Sequence, residues 1–418
     1  LQPPEIVFVG LAGASAVLWW RGRVSWRFVL ADAAVVAWLG ANLLGCALTT
    51  GVGARDALVE TLGAAYLACL YATVRITATP LLLDRFGEWF GRSAAVAAAV
   101  GLAGSTASWL GLSARLATVA GTPIPYLGQA PRAQAFTAGP QMLASILLLA
   151  IPLFIGSRLD RGWRRRDTAL IVLLVLGLAS TFSKTAVCAV PALCVMWASG
   201  PPAGEGVRRR RTRVWVAAAT SLIVASLFFV SSHVMVVRRA TVPWMSAAQL
   251  VAGQPLASFT WAGEPWVVIP TTYYFNNGAS VRAVEQFWPM GVGPSGQPAF
   301  TATLQRDQRF PRSISMTEPH STYLGAVAEL GAAGLVALAL ILIAGGTMTR
   351  RLLEASGGFR WEAAAYAGAG TAFLIEALST DLLNCRHYWW LLAVMAARLS
   401  SRQPTHASPR SLTGRGGL

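Results

Sequence analysis

The sequence predicts an all-α polytopic membrane protein, on three observations. Hydrophobic residues make up 55% of the chain and charged residues 12%, at a mean hydropathy of +0.52. Soluble domains carry about 25% charged residues. Apolar runs between Phe28 and Leu48, Val214 and Val237, and Tyr323 and Gly345 are each about 20 residues or more, enough to span a hydrocarbon core of roughly 30 Å. The arginines gather in alternate connections between such runs, which is the charge bias that sets membrane orientation.

Taken in order, apolar segments at 6–20, 28–48, 57–76, 94–113, 139–156, 168–182, 184–200 and 214–237 predict eight transmembrane helices within residues 1–237. A polar stretch, 238–321, interrupts the series as one large loop between helices 8 and 9. Segments at 322–345, 361–379 and 386–399 supply helices 9–11 within residues 322–400, for about eleven in all. The remainder, 401–418, is polar and rich in Gly, Pro and Ser, the composition of a disordered tail. There is no repeat of the solenoid kind. The first apolar run leads to Arg21 and Arg23 rather than to a small-residue cleavage site, so it does not read as a cleavable signal.

Orientation follows from the arginines. One set of connections holds Arg21, Arg23 and Arg27, then Arg85 and Arg92, the clusters at 158–166 and 208–213, and Arg350, Arg351 and Arg360. This set is expected in the cytoplasm, which puts the large loop and the N-terminus outside. A further helix before Leu1 would give twelve and bring both ends inside. The net charge of +16 is thereby explained by topology, and a soluble basic face that would suit nucleic acid is missing. The five cysteines, all in or beside apolar segments, show no metal-ligand or disulfide spacing and read as small core residues.

Ionisable residues within membrane segments mark candidate sites; here they are Asp32, Glu60, Arg75, Lys184, Glu329, Glu376 and Asp381. Asp32, Arg75 and Glu376 also suit helix ends or mutual pairing. Lys184 is the only lysine. It reads either as a side chain snorkelling to the interface or as a fixed cation for an anionic ligand. His320 closes the loop where the chain returns to the membrane, and a neutral imidazole there can accept a proton. Tyr323 follows three residues on, on the same helix face. Glu329 stands about half a rotation and roughly 13 Å further along, which suits a packing or lid contact. Gly331 and Gly334 would let another helix approach.

Within the loop, Ser280 is placed to cap a short helix over 281–288 that Pro289 stops. Gly291 and Gly293 form a tight bend with no following helix, so no phosphate-loop fingerprint is present. Arg282 is the better anion ligand, since a guanidinium grips phosphate oxygens in pairs. Arg132 leads from a second external loop into a helix. Three cations (Arg132, Lys184, Arg282) and one base (His320) thus share one membrane face, a set suited to an anionic leaving group and an attacking hydroxyl. Trp244, Trp261, Trp266, Tyr273, Tyr274 and Trp288 suit either sugar stacking or a small core of the loop itself.

At these residues the chain resembles the O-antigen ligase and O-antigen polymerase superfamily of bacterial envelope glycosyltransferases. The resemblance lies in Ser183-Lys184, where the family has Ser-Arg; in Arg282 followed by Trp288-Pro289 and Gly291-Val292-Gly293-Pro294; in His320-Ser-Thr-Tyr-Leu followed by Glu329-Leu-Gly-Ala-Ala-Gly; and in Arg386-His387-Tyr388-Trp389-Trp390. It is best from about residue 130 to residue 400. It implies a GT-C-like fold in the bacterial cytoplasmic membrane with an extracytoplasmic active face. It further implies a glycan donor on polyprenyl (undecaprenyl) diphosphate and transfer to a hydroxyl acceptor on a glycan, lipid or protein, without nucleotide sugar, cofactor or required metal. On that resemblance Arg132, Lys184 and Arg282 hold the diphosphate, and His320 orients or deprotonates the acceptor, with Tyr323, Glu329, Gly291 and Gly293 in support. The alternative expectation is a transporter or flippase of lipid-linked glycans, which would line a transmembrane path with its cations.

Overall fold

The computed structural model describes residues 3–22, 26–49, 53–115, 117–119, 123–124, 128–201, 207–239, 255–307, 319–355 and 361–402. Each of the eleven apolar segments contains a helix. The tail from 403 onward and Trp244 lie outside the described residues.

The first three helices are α1 (Pro3–Trp20), α2 (Leu30–Leu48) and α3 (Ala54–Thr77). At the start of α2, the Asp32 carboxylate accepts the Val29 amide at 2.7 Å, satisfying a donor that a helix start leaves open. The fourth helix, α4 (Pro80–Trp109), begins well before residue 94: Thr79 accepts the Leu82 amide at 3.2 Å and Pro80 fills the first turn, a favoured start. Arg85 and Arg92 therefore ride on a helix and not in a connection. Two short antiparallel ladders follow, β1 (Thr118–Val119) with β4 (Arg132–Ala133) and β2 (Pro123–Ile124) with β3 (Gly128–Gln129). Next come α5 (Pro140–Arg161), α6 (Arg165–Ser180), a 3-10 turn over Lys184–Cys188, α7 (Ala189–Ser199) and α8 (Val207–His233).

The large loop is not all helix. The expected eighth span ends early, and its β-branched tail becomes β5 (Val234–Arg238), which pairs with β7 (Glu264–Pro270), which in turn pairs with β6 (Ala257–Trp261). Between β6 and β7, Ala262 and Gly263 both have positive φ (52° and 77°), as a two-residue hairpin turn twisted to match its strands requires. Then come α9 (Thr272–Phe287) and α10 (Gln297–Arg306). Ser280 is not a cap: it lies inside α9, fully buried, and donates to the Asn276 carbonyl at 3.1 Å. The chain returns to the bundle as α11 (Thr322–Ala355), α12 (Trp361–Glu376) and α13 (Arg386–Arg402).

This is a mostly helical membrane protein, in which α2, α3, α5, α8 and α11 are each long and apolar enough to cross a bilayer. Helix α5, apolar on all sides, is buried from Leu143 to Phe154 except at Ile146 and packs on α4, α6 and α12, as such a helix must. Helix α11 packs on α2 and α9, and α13 on α3. Charged residues at the end opposite the loop pair with one another: Arg75 with Asp32 at 3.2 Å, Arg158 with Asp167 at 3.0 Å and Arg398 with Glu362 at 2.6 Å. Asp32 and Arg75 are thus structural partners, with the Tyr71 hydroxyl donating to Asp32 at 2.7 Å. The five cysteines are free; Cys188 and Cys385 are buried, whereas Cys69 is exposed and so is no core residue.

Candidate active site

His320 stands just before α11 with a left-handed backbone, φ 51°, a conformation uncommon outside glycine and one that structures keep where it serves a purpose. The turn after α12 holds it there. The Thr322 amide donates to the carbonyls of Ala377 and Thr380, both at 3.0 Å. The Thr322 hydroxyl donates to the Thr380 carbonyl at 2.7 Å and accepts the Leu382 amide at 2.9 Å. The Tyr323 hydroxyl donates to the Leu374 carbonyl at 2.7 Å. Tyr323 is therefore a tie between α11 and α12. Since His320 precedes the helix, the two residues do not share a helix face.

The aromatic partner of His320 is Tyr273, at the start of α9, with ring centroids 4.7 Å apart and planes inclined by 32°. Tyr273 also interacts electrostatically with Arg132: burial lowers the arginine's pKa and the tyrosine opposes that shift. A guanidinium stays charged through such a change. From β4, Arg132 Nε donates to the Thr181 carbonyl at 2.9 Å, and Thr181 leads directly to Ser183-Lys184. The Ser183 hydroxyl accepts the Thr185 amide at 3.3 Å, capping the 3-10 turn that Lys184 begins. Lys184 Nζ, exposed, donates to the Ser231 carbonyl at the end of α8. The next carbonyls of α8, those of Ser232 and His233, accept the hydroxyl and the amide of Thr271, which starts α9. Arg132, Lys184, Tyr273 and His320 are thus joined in one circuit at the loop end of the bundle.

Arg282 stands on the same helix as Tyr273. It lies nine residues further along α9, about half a rotation round and roughly 13 Å away along the axis. It is half-buried.

Gly291 and Gly293 bring the loop backbone against α11. The Val292 and Gly293 amides donate to the Ala328 and Glu329 carbonyls, both at 2.9 Å, and the Ala332 amide donates to the Pro289 carbonyl at 2.8 Å. Helix α11 breaks at Gly331 (φ 59°, ψ −139°) to receive this segment. A Cβ on Gly291 would lie 2.4 Å from the Glu329 carbonyl oxygen, and one on Gly331 would lie 2.0 Å from that of Pro289. Gly331 therefore admits the loop's backbone where a helix had been expected. A helix does follow the glycine bend, contrary to the sequence reading, but the backbone amides of Ser295 and Gln297 at its start are given to the Glu329 carboxylate. Replacing Gly331 with alanine should cost at least the roughly 1–3 kcal/mol of such backbone strain, read as a lower unfolding temperature in detergent. An unchanged temperature would show that the kink is not fixed by this contact.

Two residues escaped the sequence reading. His233 was counted as part of an apolar span, yet its Nδ1 donates to the Phe229 carbonyl at 2.7 Å, leaving Nε2 to accept from Asn277 Nδ2 at 2.5 Å. Asn277 lies one turn beyond Tyr273 on α9, a spacing visible in the sequence only once that helix is known to begin at Thr272. Among the loop aromatics, Trp261 and Trp266 pack on each other at 5.7 Å, whereas Trp288 is exposed. Among the described residues no cluster of three or more His, Cys, Asp and Glu could hold a metal ion. No family model matches the chain, and no curated protein matches it either.

Proposed function

We propose that the chain is a membrane glycosyltransferase of the O-antigen ligase and polymerase kind, with eleven transmembrane helices and a GT-C-like arrangement. It takes a glycan from a polyprenyl diphosphate carrier and passes it to a hydroxyl acceptor at the extracytoplasmic face. The observation that carries this reading is the circuit joining Arg132, Lys184, Tyr273 and His320 at the loop end of the bundle. The arginine clusters at 158–166 and 208–213 lie at the other end, and their charge bias supports an outward-facing loop.

In the reaction, the acceptor oxygen attacks the anomeric carbon as the bond from that carbon to the diphosphate oxygen breaks. The departing electron pair leaves with the diphosphate, whose charge Arg132 and Lys184 stabilise. The acceptor's proton passes to His320. Arg282, further along α9, is the third cation of this reading and holds the diphosphate with Arg132 and Lys184. Incubating purified protein in nanodiscs with a defined polyprenyl-diphosphate glycan and a hydroxyl acceptor tests the proposal. Formation of the transferred glycan with release of the carrier diphosphate is expected; consumption of neither substrate would overturn it.

A further inference from the structure

A cavity of about 490 Å³ opens between α11, α12 and α13. Residues at helical spacing on all three helices face it, among them Gly345 and Gly346 on α11, Gly370 and Leu374 on α12, and Leu392 on α13. The lining is almost wholly apolar, and it lies at the depth of membrane-spanning helices. Its three glycines are unlike Gly331. A Cβ added at Gly345, Gly346 or Gly370 would meet no atom within 4 Å. Glycine inside a helix costs stability relative to alanine, and here no close approach within the chain compensates for that cost. The missing side chains serve instead to keep a groove open.

The groove has two distinct ends. At one, Arg350 and Glu354 form an exposed ion pair at 2.7 Å. At the other lies Leu374, whose carbonyl receives the Tyr323 hydroxyl, three residues from His320. The groove therefore ends beneath the candidate site. Between Leu342 and Leu353 its α11 wall runs about 16 Å at 1.5 Å per residue, a shape for an extended chain and not for a compact solute.

We propose that this groove holds the hydrocarbon chain of the lipid that carries the donor glycan, with the diphosphate at the loop end and the chain running along α12 toward Arg350. This rests on the lipid-diphosphate reading above. Apolar lining, membrane depth and continuity with the candidate site all select the donor's own chain over a free small molecule.

Gly345→Leu and Gly370→Leu place a side chain in the groove from positions where the new Cβ meets no atom within 4 Å, and their effect can be read on the full chain in nanodiscs. Two donors with the same head group and glycan, one with a short and one with a long isoprenoid chain, supply the comparison. The wild type should show a KM lower by about tenfold or more for the long-chain donor, since even two buried methylenes supply that much. Both leucine variants should lose this preference, with KM for the long chain rising to that of the short chain and kcat unchanged. A preference retained in the variants would overturn the proposal. Native mass spectrometry with the long-chain lipid diphosphate alone gives a second readout. Binding that persists undiminished in both variants, or only bulk phospholipid displaced by them, would also overturn it. A wild type that binds the lipid diphosphate in the groove yet transfers from neither donor would sink the transferase reading and leave the groove assignment standing.

Discussion

Replacing His320 with alanine should lower glycan transfer by about 10²–10⁴, the range of a positioned acid–base group, while the carrier lipid still binds. An alcohol is a poor nucleophile at neutral pH, so the proton must go somewhere as the bond forms. In the proposed reaction His320 takes it; the residue is half-buried, its ring lies on Tyr273, and its backbone is fixed by the bonds of Thr322 to the turn after α12. Single-turnover transfer and donor affinity, both measured on the variant in nanodiscs, separate the two roles. Loss of donor binding along with turnover would move His320 to the diphosphate side. Transfer at the wild-type rate would mean that departure of the diphosphate drives the reaction without a base here.

Lys184→Ala should reduce transfer by about 10²–10³, as expected for removal of one preorganised charge from a developing anion, and Lys184→Arg should keep much of the activity. The structure supplies a competing role, since Nζ ties the 3-10 turn to the Ser231 carbonyl of α8. The comparison with arginine alone does not separate the two roles, because a guanidinium can also donate to that carbonyl. Unfolding temperature does. If Lys184→Ala loses thermal stability and activity in parallel while donor affinity is unchanged, the lysine is a strut. Weakened donor binding at unchanged stability would mark it as the cation of the site.

Most of the bundle was legible in the sequence because long apolar runs have few alternatives in a bilayer. What was missed has local physical causes. Val234 to Val237 continue the apolar run of α8 without a break, so composition alone does not reveal that the backbone changes from helix to strand there. Ser280 carried a capping signal, but the start of α9 is set by Thr271, nine residues before Ser280, and by its bonds to the end of α8. Gly331 and Gly334 matched the spacing of close helix packing, yet Gly331 is where α11 breaks to take in another segment's backbone. For the site, the residue types of Arg132, Lys184 and His320 were evident from sequence. Tyr273, which links two of them, was one aromatic among six until tertiary contacts singled it out.

The frame of His320 is built from residues 374–382, at the end of α12 and in the turn that leads to α13. Synthesis runs from the N-terminus, so a nascent chain that has inserted α11 already carries the histidine but not the carbonyls that hold it. The cations of β4 and of the 3-10 turn are in place earlier still. Alignment of His320 thereby waits on insertion of α12 and the turn that follows it: a nascent chain that stops short of residue 382 lacks the Thr380 carbonyl and the Leu382 amide that hold Thr322.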